Sequence, residues 1–408
     1  MKEYNTLDDF NLENKTVILR VDFNMPLDKK TLDIIDTTRI KRVLPTIKEL
    51  VENKAKTVIL AHQGRQGSWD FTNLEKHSKA LSKLINMPVK YIDDVCGEKS
   101  KDAIKKLQKG EVLLLDNVRK FNNETEKKSA EEHSHSELIQ NLYPLANLFV
   151  NDAFAAAHRA QCSLIGFTVV LPSCTGRLME KELTTLQEIV TNPEKPSVFL
   201  FGVAKFSDVV ITIDRLFENK TADKIILTGL PANAFLKAKG INLGKNNDEI
   251  LSNEGTHENF MEIKKVIAKY EDKIILPVDF AMNDNNNRNE INVSDLPTNN
   301  SLYDIGEKSI EVFKNILSAA RTVFLSGPCG VFEEPLFMKG TREIFTFVAG
   351  LDVFSIVGGG HTVAAVEQLG LQDQISHIST GGGSLEKFMM GEKLPVVEAL
   401  KKAKNCFC

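Results

Sequence analysis

The chain has few of the features that would set it apart from ordinary globular proteins. Six cysteines, Cys96, Cys162, Cys174, Cys329, Cys406 and Cys408, are scattered over 408 residues. None forms a C-x-x-C pair, and the scatter points to reduced thiols. The terminal C-x-C offers two ligands, too few for a structural zinc. No stretch approaches the ~18 apolar residues of a membrane helix, and MKEYNTLDDF lacks the apolar core of a signal peptide. The expectation is a cytoplasmic protein with no membrane partner. Neither sign of charge dominates: 51 basic residues face 55 acidic ones, a net charge of −4. No basic excess advertises nucleic acid and no long acidic tail suggests disorder, so an anionic ligand must be met by locally placed charge. G-x-G-x-x-G and G-x-x-x-x-G-K-[ST] are both missing, which leaves nicotinamide-dependent and P-loop readings without their fingerprints.

What is present is a repeating alternation. Apolar runs of strand length, TVILRVDF (16–23), TVILAHQG (57–64), EVLLLDNV (111–118) and LFVNDAF (148–154), are separated by helical patterns. Val-, Ile- and Leu-rich strands with little polar alternation are buried on both faces, and helix-length connections demand parallel pairing. A second series follows: SVFLFGVAK (197–205), KIILTG (224–229), KIILPVDFAM (273–282), TVFLSGP (322–328), FSIVGGG (354–360) and ISHIST (375–380). Two such series call for two cores. The expected fold is α/β, two doubly wound, mostly parallel-sheet domains joined by a helix or hinge, with GRLMEKELTTLQEIVTN (176–192) as the connecting helix. The polar stretch 283–301 is expected to be an exposed loop.

In open parallel sheets, ligands bind beyond the carboxyl ends of the strands. The first-half exits carry Asp22, Asn24, His62, Arg65, Asn117, Arg119, Asp152, His158 and Arg159, and Arg39 opens the helix after the first strand. Arginine forks bind carboxylate and phosphate oxygens bidentately, so this edge suits a small, highly anionic metabolite. The second-half exits carry Gly202, Lys205, Gly229, Gly327, Pro328, Gly330 and Glu333, with glycine triplets at 358–360 and 381–383. Glycines admit backbone amides to phosphate oxygens, and a helix N-terminus adds partial positive charge. That edge suits the phosphates of a nucleotide.

With these residues in hand, the sequence resembles the phosphoglycerate kinase family from about residue 14 to about 402, through RVDFNMP, DTTRI, LPTIKEL, HQGR, NVR, VNDAFAAAHRAQ, GRLMEKEL, GVAKFSD, FLKAKG, LPVD, GPCGVFE, GGGHT and STGGG. HQGR and GGGHT are closer to archaeal members than to those reading HLGR and GGGDT. The resemblance implies a glycolytic and gluconeogenic kinase that transfers a phosphoryl group between 1,3-bisphosphoglycerate with ADP and 3-phosphoglycerate with ATP, by domain closure. It implies an acid-binding domain (1–172), a nucleotide domain (173–390) and a C-terminal segment (391–408) returning to the first domain.

By the same resemblance, Asp22, Asn24, Arg39, His62, Arg65, Arg119 and Arg159 bind the acid, with Arg39 catalytic. Lys205, Gly382 and Gly383 serve the transferred group. Gly202, Lys205, Gly327, Pro328, Glu333, Gly358, Gly359, Gly360 and His361 serve a nucleotide that carries Mg2+, with Gly381 in the second glycine cradle. Adenine and guanine are left equally open by the residues, as is a monomer or a small homo-oligomer. The sequence departs from the family at Val203, Val209, Ser326, His361 and Glu386, all on the nucleotide side. Neutral imidazole is a poor substitute for carboxylate at a hard cation, so His361 is expected to cap the helix or meet phosphate rather than magnesium. Retention of Arg39 and Lys205 weighs against a non-catalytic relative.

Overall fold

The computed structural model describes residues 3–202, 206–253 and 260–407. The chain divides into two compact units, Met1–Thr184 with Lys393–Cys408, and Thr185–Glu392. The division falls inside the helix Arg177–Thr191, beyond the 172/173 boundary expected from the sequence.

The first unit is built on six strands: β1 (Thr16–Arg20), β2 (Lys56–Leu60), β3 (Val89–Ile92), β4 (Val112–Leu115), β5 (Leu148–Asn151) and β6 (Ser173–Thr175). They form one parallel sheet in the order β3-β4-β2-β1-β5-β6. Alternate residues feed two separate cores. Val17, Leu19, Ile59, Leu114 and Val150 join one cluster with Ile40, Val43, Ile47 and Leu50 of the helix Thr38–Glu52. Ile18, Val58, Leu60, Leu113, Leu115 and Phe149 join the other. This two-sided burial is why the strands read as continuous apolar runs. Each run expected from the sequence is longer than its strand, because its last residues leave the sheet to form the loops described below. The C-terminal helix Pro395–Cys406 packs on this unit, where the Val396 amide donates to the Ala157 carbonyl at 3.2 Å.

The second unit holds β7 (Ser197–Phe201), β8 (Lys224–Leu227), β9 (Ile274–Ile275), β10 (Asp279–Asp284), β11 (Asn287–Asn292), β12 (Ser301–Ile305), β13 (Thr322–Ser326), β14 (Phe354–Gly358) and β15 (His377–Ile378). Six of these make a parallel sheet, β15-β14-β13-β7-β8-β9. One face is aliphatic, with Val198, Leu200, Val323, Leu325 and Val357 in a single cluster. The other groups Phe199 with Phe201 and Phe324, whose ring centroids lie 6.4 and 5.3 Å from it.

The remaining three strands correct the expected loop at 283–301. They form an antiparallel sheet, β11-β10-β12. Asn285 and Asn286, at φ 51° and 64°, make the left-handed two-residue turn between β10 and β11. No residue of β11 is buried, so it carries no apolar alternation to betray it. The single strand expected over 273–282 is split between the two sheets. Pro277, with no amide to donate, stands between the halves.

Candidate active site

Each parallel sheet has one place where successive strands run off in opposite directions: between β1 and β5 in the first unit and between β7 and β13 in the second. Loops leaving the carboxyl ends there splay apart and open a crevice.

At the first of these points Asp22 and Asn24 follow β1, while His158 and Arg159 follow β5. The Asn24 amide donates to Asp22 Oδ1 at 2.9 Å, the Gly64 amide donates to Asn24 Oδ1 at 2.8 Å, and Arg39 Nη1 donates to Asp22 Oδ2. Arg20 is buried, and its Nη2 lies 3.3 Å from His62 Nδ1. A guanidinium only donates, so Nδ1 is the acceptor and the ring proton sits on Nε2. Burial, with Arg20, Arg119 and Arg159 nearby, pushes the His62 pKa well below its ordinary value. The ring is therefore a neutral donor at neutral pH. Burial also works against ionisation of Asp22, but Arg39, the Asn24 amide and Arg20 help to outweigh it and hold that carboxyl below its usual range.

Arg119 Nη1 donates to the Gly64 carbonyl, while its buried Nε has no hydrogen-bond partner among the described residues. Burial and the charges of Arg159 and Arg20 bring its pKa down to about 10, so it stays cationic. Arg159 is lowered too, by burial with Arg65 and Arg39 close by, and its Nε donates to His158 Nε2 at 3.1 Å. Five arginines thus share the crevice with two carboxylates, Asp22 and Glu124. The surplus is a built anion site holding at least one unsatisfied donor.

Four members of this cluster, Arg20, Gln63, Glu124 and Ser163, were missed by sequence reasoning. Arg20 interrupts the apolar run VILRV, a signal in itself, because a charged residue is rarely buried unless paired. Its Nε donates to Ser163 Oγ at 2.8 Å, and that hydroxyl donates to Glu124 Oε1 at 2.6 Å. Gln63 accepts from the Met25 amide at 2.8 Å and lies 3.1 Å from His77 Nε2, fixing the loop after β1 against the loop after β2. Asp152, by contrast, is buried and engaged inside the unit. It accepts from Thr46 Oγ1 at 2.6 Å and from the Met179 amide at 2.8 Å, anchoring the start of the helix Arg177–Thr191.

At the second crevice the glycines divide into two kinds. A Cβ on Gly202 would strike the Pro328 carbonyl oxygen, and one on Gly358 would strike Leu385 Cδ2. The Gly327 amide, at φ 98°, is taken by Thr362 Oγ1 at 2.7 Å. These three serve packing. Gly360 and Gly382 have open space where a side chain would stand. Gly359, at φ 91°, caps the ten-residue helix Gly360–Leu369, whose first amides face outward. The Gly381 amide reaches Ser379 Oγ at 3.2 Å, and Gly383 opens the helix Gly383–Met389. Pro328 is buried, whereas Glu333 and His361 are exposed, with the imidazole 6.4 Å from the Phe332 ring. His361 lies within the helix and does not cap it. Lys205 and Val203 lie outside the described residues.

A profile of the phosphoglycerate kinase family, described as "Phosphoglycerate kinase", matches residues 7–392. The chain belongs to the phosphoglycerate kinase family. It is 45% identical over 399 residues to phosphoglycerate kinase of Methanobacterium bryantii, covering 98% of this chain and 97% of that one. It is also 45% identical to the Methanococcus maripaludis phosphoglycerate kinase, covering 98% of each chain. The crystal structure of the Pyrococcus horikoshii phosphoglycerate kinase superposes with a TM-score of 0.92 at 38% identity, over 98% of this chain and 100% of that one. As a phosphoglycerate kinase, the chain is a phosphotransferase of glycolysis and gluconeogenesis. It moves a phosphoryl group reversibly between 1,3-bisphosphoglycerate with ADP and 3-phosphoglycerate with ATP. Its substrates are small molecules, a nucleotide among them, and no helix among the described residues is long and apolar enough to cross a membrane.

Proposed function

We propose that the first crevice is the 3-phosphoglycerate site and the second the ATP/ADP site of this reaction. The observation that carries the first assignment is the buried arginine cluster with an unpaired Arg119 Nε. Arg65, Arg119 and Arg159 grip the phosphate and carboxylate of the acid, and His62 adds its Nε2 proton. Asp22 and Asn24 hold Arg39 and the loop after β1 in register. In the second unit, amides around Gly359, Gly360 and Gly382 face the polyphosphate, while Gly202, Gly327, Pro328 and Gly358 shape its walls and Glu333 reaches the ribose.

The attacking carboxylate is already nucleophilic, so no general base is needed. What remains is alignment and stabilisation of charge on the three equatorial oxygens of the moving group. Arg39 supplies that charge from the acid side; Lys205 and the amides of Gly382 and Gly383 supply it from the nucleotide side. Magnesium carried by the nucleotide neutralises phosphate charge. Among the described residues no group of three or more His, Cys, Asp or Glu could cage a cation unaided, which fits a cation that arrives with its phosphates. Transfer then requires the acid domain (1–172, with 391–408) and the nucleotide domain (173–390) to close on each other. Buried free thiols at Cys96, Cys162, Cys174 and Cys329 support a reducing, cytoplasmic setting for a monomer or small homo-oligomer.

Titration calorimetry separates the two sites. Arg119→Ala should weaken 3-phosphoglycerate binding by at least tenfold, in line with loss of charge-assisted hydrogen bonds, and leave ADP binding unchanged. Equal weakening of both ligands would contradict the assignment.

A further inference from the structure

The segment from Gly327 to Gly340 leaves the carboxyl end of β13 and carries Pro328 and Glu333. Three of its ties run to the small antiparallel sheet, which the reading of the second crevice leaves without a role. The Val331 amide donates to the Tyr303 carbonyl at 2.7 Å, Arg288 Nη1 donates to the Leu336 carbonyl at 3.1 Å, and the Gly340 amide donates to Asp304 Oδ2 at 2.7 Å. Phe337 adds an edge-on contact with the Tyr303 ring, centroids 5.1 Å apart. Glu333 stands exposed between the ties at Val331 and Leu336.

Arg288, in β11, joins two of these ties. Its Nη1 also donates to Asp304 Oδ2 at 2.8 Å and its Nη2 to the Ile305 carbonyl at 3.0 Å, while its Nε donates to Glu290 Oε1 at 3.2 Å. The Asp304 side chain has no exposed surface. Burial raises its pKa to about 6, against the pull of Arg288 and the Gly340 amide. A carboxylate so placed is costly without its cation. The guanidinium fork reaches β11, β12 and the 327–340 segment at once, which the compact ammonium of a lysine cannot do. We propose that Arg288 is a positioning residue for the nucleotide site, holding the segment so that Glu333 is presented at the ribose. This rests on the nucleotide reading of the second crevice. Arg288 acts through Asp304 and the Leu336 carbonyl without touching ligand, and a binding group whose support is loosened loses its productive geometry. The antiparallel sheet is then the support of the loop that meets the nucleoside.

The test is calorimetric titration of ADP with Mg2+ into the full chain, for the wild type, Arg288→Lys, Glu333→Ala and the double variant, with steady-state kinetics in parallel. Arg288→Lys keeps a cation for Asp304 but loses the fork. It should bind ADP about tenfold more weakly and raise the KM for ATP by a similar factor. Its kcat at saturating ATP should stay within about twofold of the wild type, which also shows that both units are folded. Arg288→Gln, whose amide offers Asp304 a neutral partner, is the second variant and should show the same split between KM and kcat. Glu333→Ala should weaken ADP binding too, and adding Arg288→Lys to it should cost less than about twofold more, because the two changes act through one contact. Wild-type ADP affinity in Arg288→Lys would overturn the proposal. So would a fall in kcat with KM unchanged, or the full tenfold loss repeated in the Glu333→Ala background, which would mark the ion pair as structural only. Failure of the wild type to bind ADP would overturn the placement of the nucleotide, and wild-type ADP affinity in Glu333→Ala would overturn its ribose contact; either takes this inference with it.

Discussion

Arg20 and Glu124 are both buried and joined through Ser163, and Arg20 also meets His62. Breaking a buried charged network by removing one partner strands the other, at a cost of about 3–5 kcal/mol. Glu124→Ala should therefore destabilise the first unit by about that much in urea unfolding; a loss below about 1 kcal/mol would mean that Arg20 is satisfied without it. The neutral histidines give the same region a pH signature. Burial lowers the His77 pKa from 6.5 to about 4, and His62 is lowered as well. Their contributions to stability are complete above the unfolded value near 6.5 and are lost as the pH falls toward the folded value, because the unfolded chain then binds more protons. Each such group costs about 1.4 kcal/mol per pH unit within that window. His77→Gln should flatten the fall in unfolding free energy between pH 6.5 and pH 4.5; parallel curves for variant and wild type would contradict a neutral, buried His77. At this scale the sequence was most informative where cations followed apolar runs, as at Arg65, Arg119 and Arg159. It was silent on Glu124 and Ser163, whose partnership with Arg20 spans more than a hundred residues and exists only once the sheet has formed.

Strands and helices were legible to the extent that burial imposed a pattern on them. The strands β1, β2, β4, β5, β7, β8, β13 and β14 lie in runs that read as apolar on both faces, while the short β3, β6 and β12 went unread and β11, polar and without a buried residue, passed for a loop. The roles of individual glycines were not legible, since a collision with Pro328 or Leu385 is a tertiary fact. That distinction is testable. Gly202→Ala and Gly358→Ala force backbone or core atoms to move and should each destabilise the second unit by about 1–3 kcal/mol. Gly382→Ala meets open space and should fold with near-native stability while weakening ADP binding. Thermal unfolding ranks the three, and a Gly382 variant as unstable as the other two would show that the turn is a packing device. The helix Arg177–Thr191 carries a further element-level dependence. Asp152, whose pKa burial raises to about 6, receives the Met179 amide and the Thr46 hydroxyl. Asp152→Ala leaves both donors unpaired, at about 1–3 kcal/mol each, and hydrogen exchange at the start of that helix should rise.

For the molecule as a whole, the proposed assignment sets two opposed requirements: it places the acid and the nucleotide on different units, yet direct transfer needs the reacting atoms within about 3–3.5 Å. Closure on binding both ligands resolves them, and small-angle scattering should show compaction with 3-phosphoglycerate and nucleotide together that neither produces alone. The two-domain α/β architecture was readable from the alternation of apolar runs, and the proposed binding edges follow from their exits, because the same sheet geometry that buries the strands gathers their loops at the carboxyl edge. The most direct measurement is a coupled assay of 3-phosphoglycerate phosphorylation by ATP, with and without magnesium, on the wild type and Arg39→Ala. The wild type should turn over only when acid, nucleotide and magnesium are all present, and Arg39→Ala should lose about 10²–10³-fold in kcat. Absence of turnover in the complete mixture, or near-normal turnover by Arg39→Ala, would contradict the account.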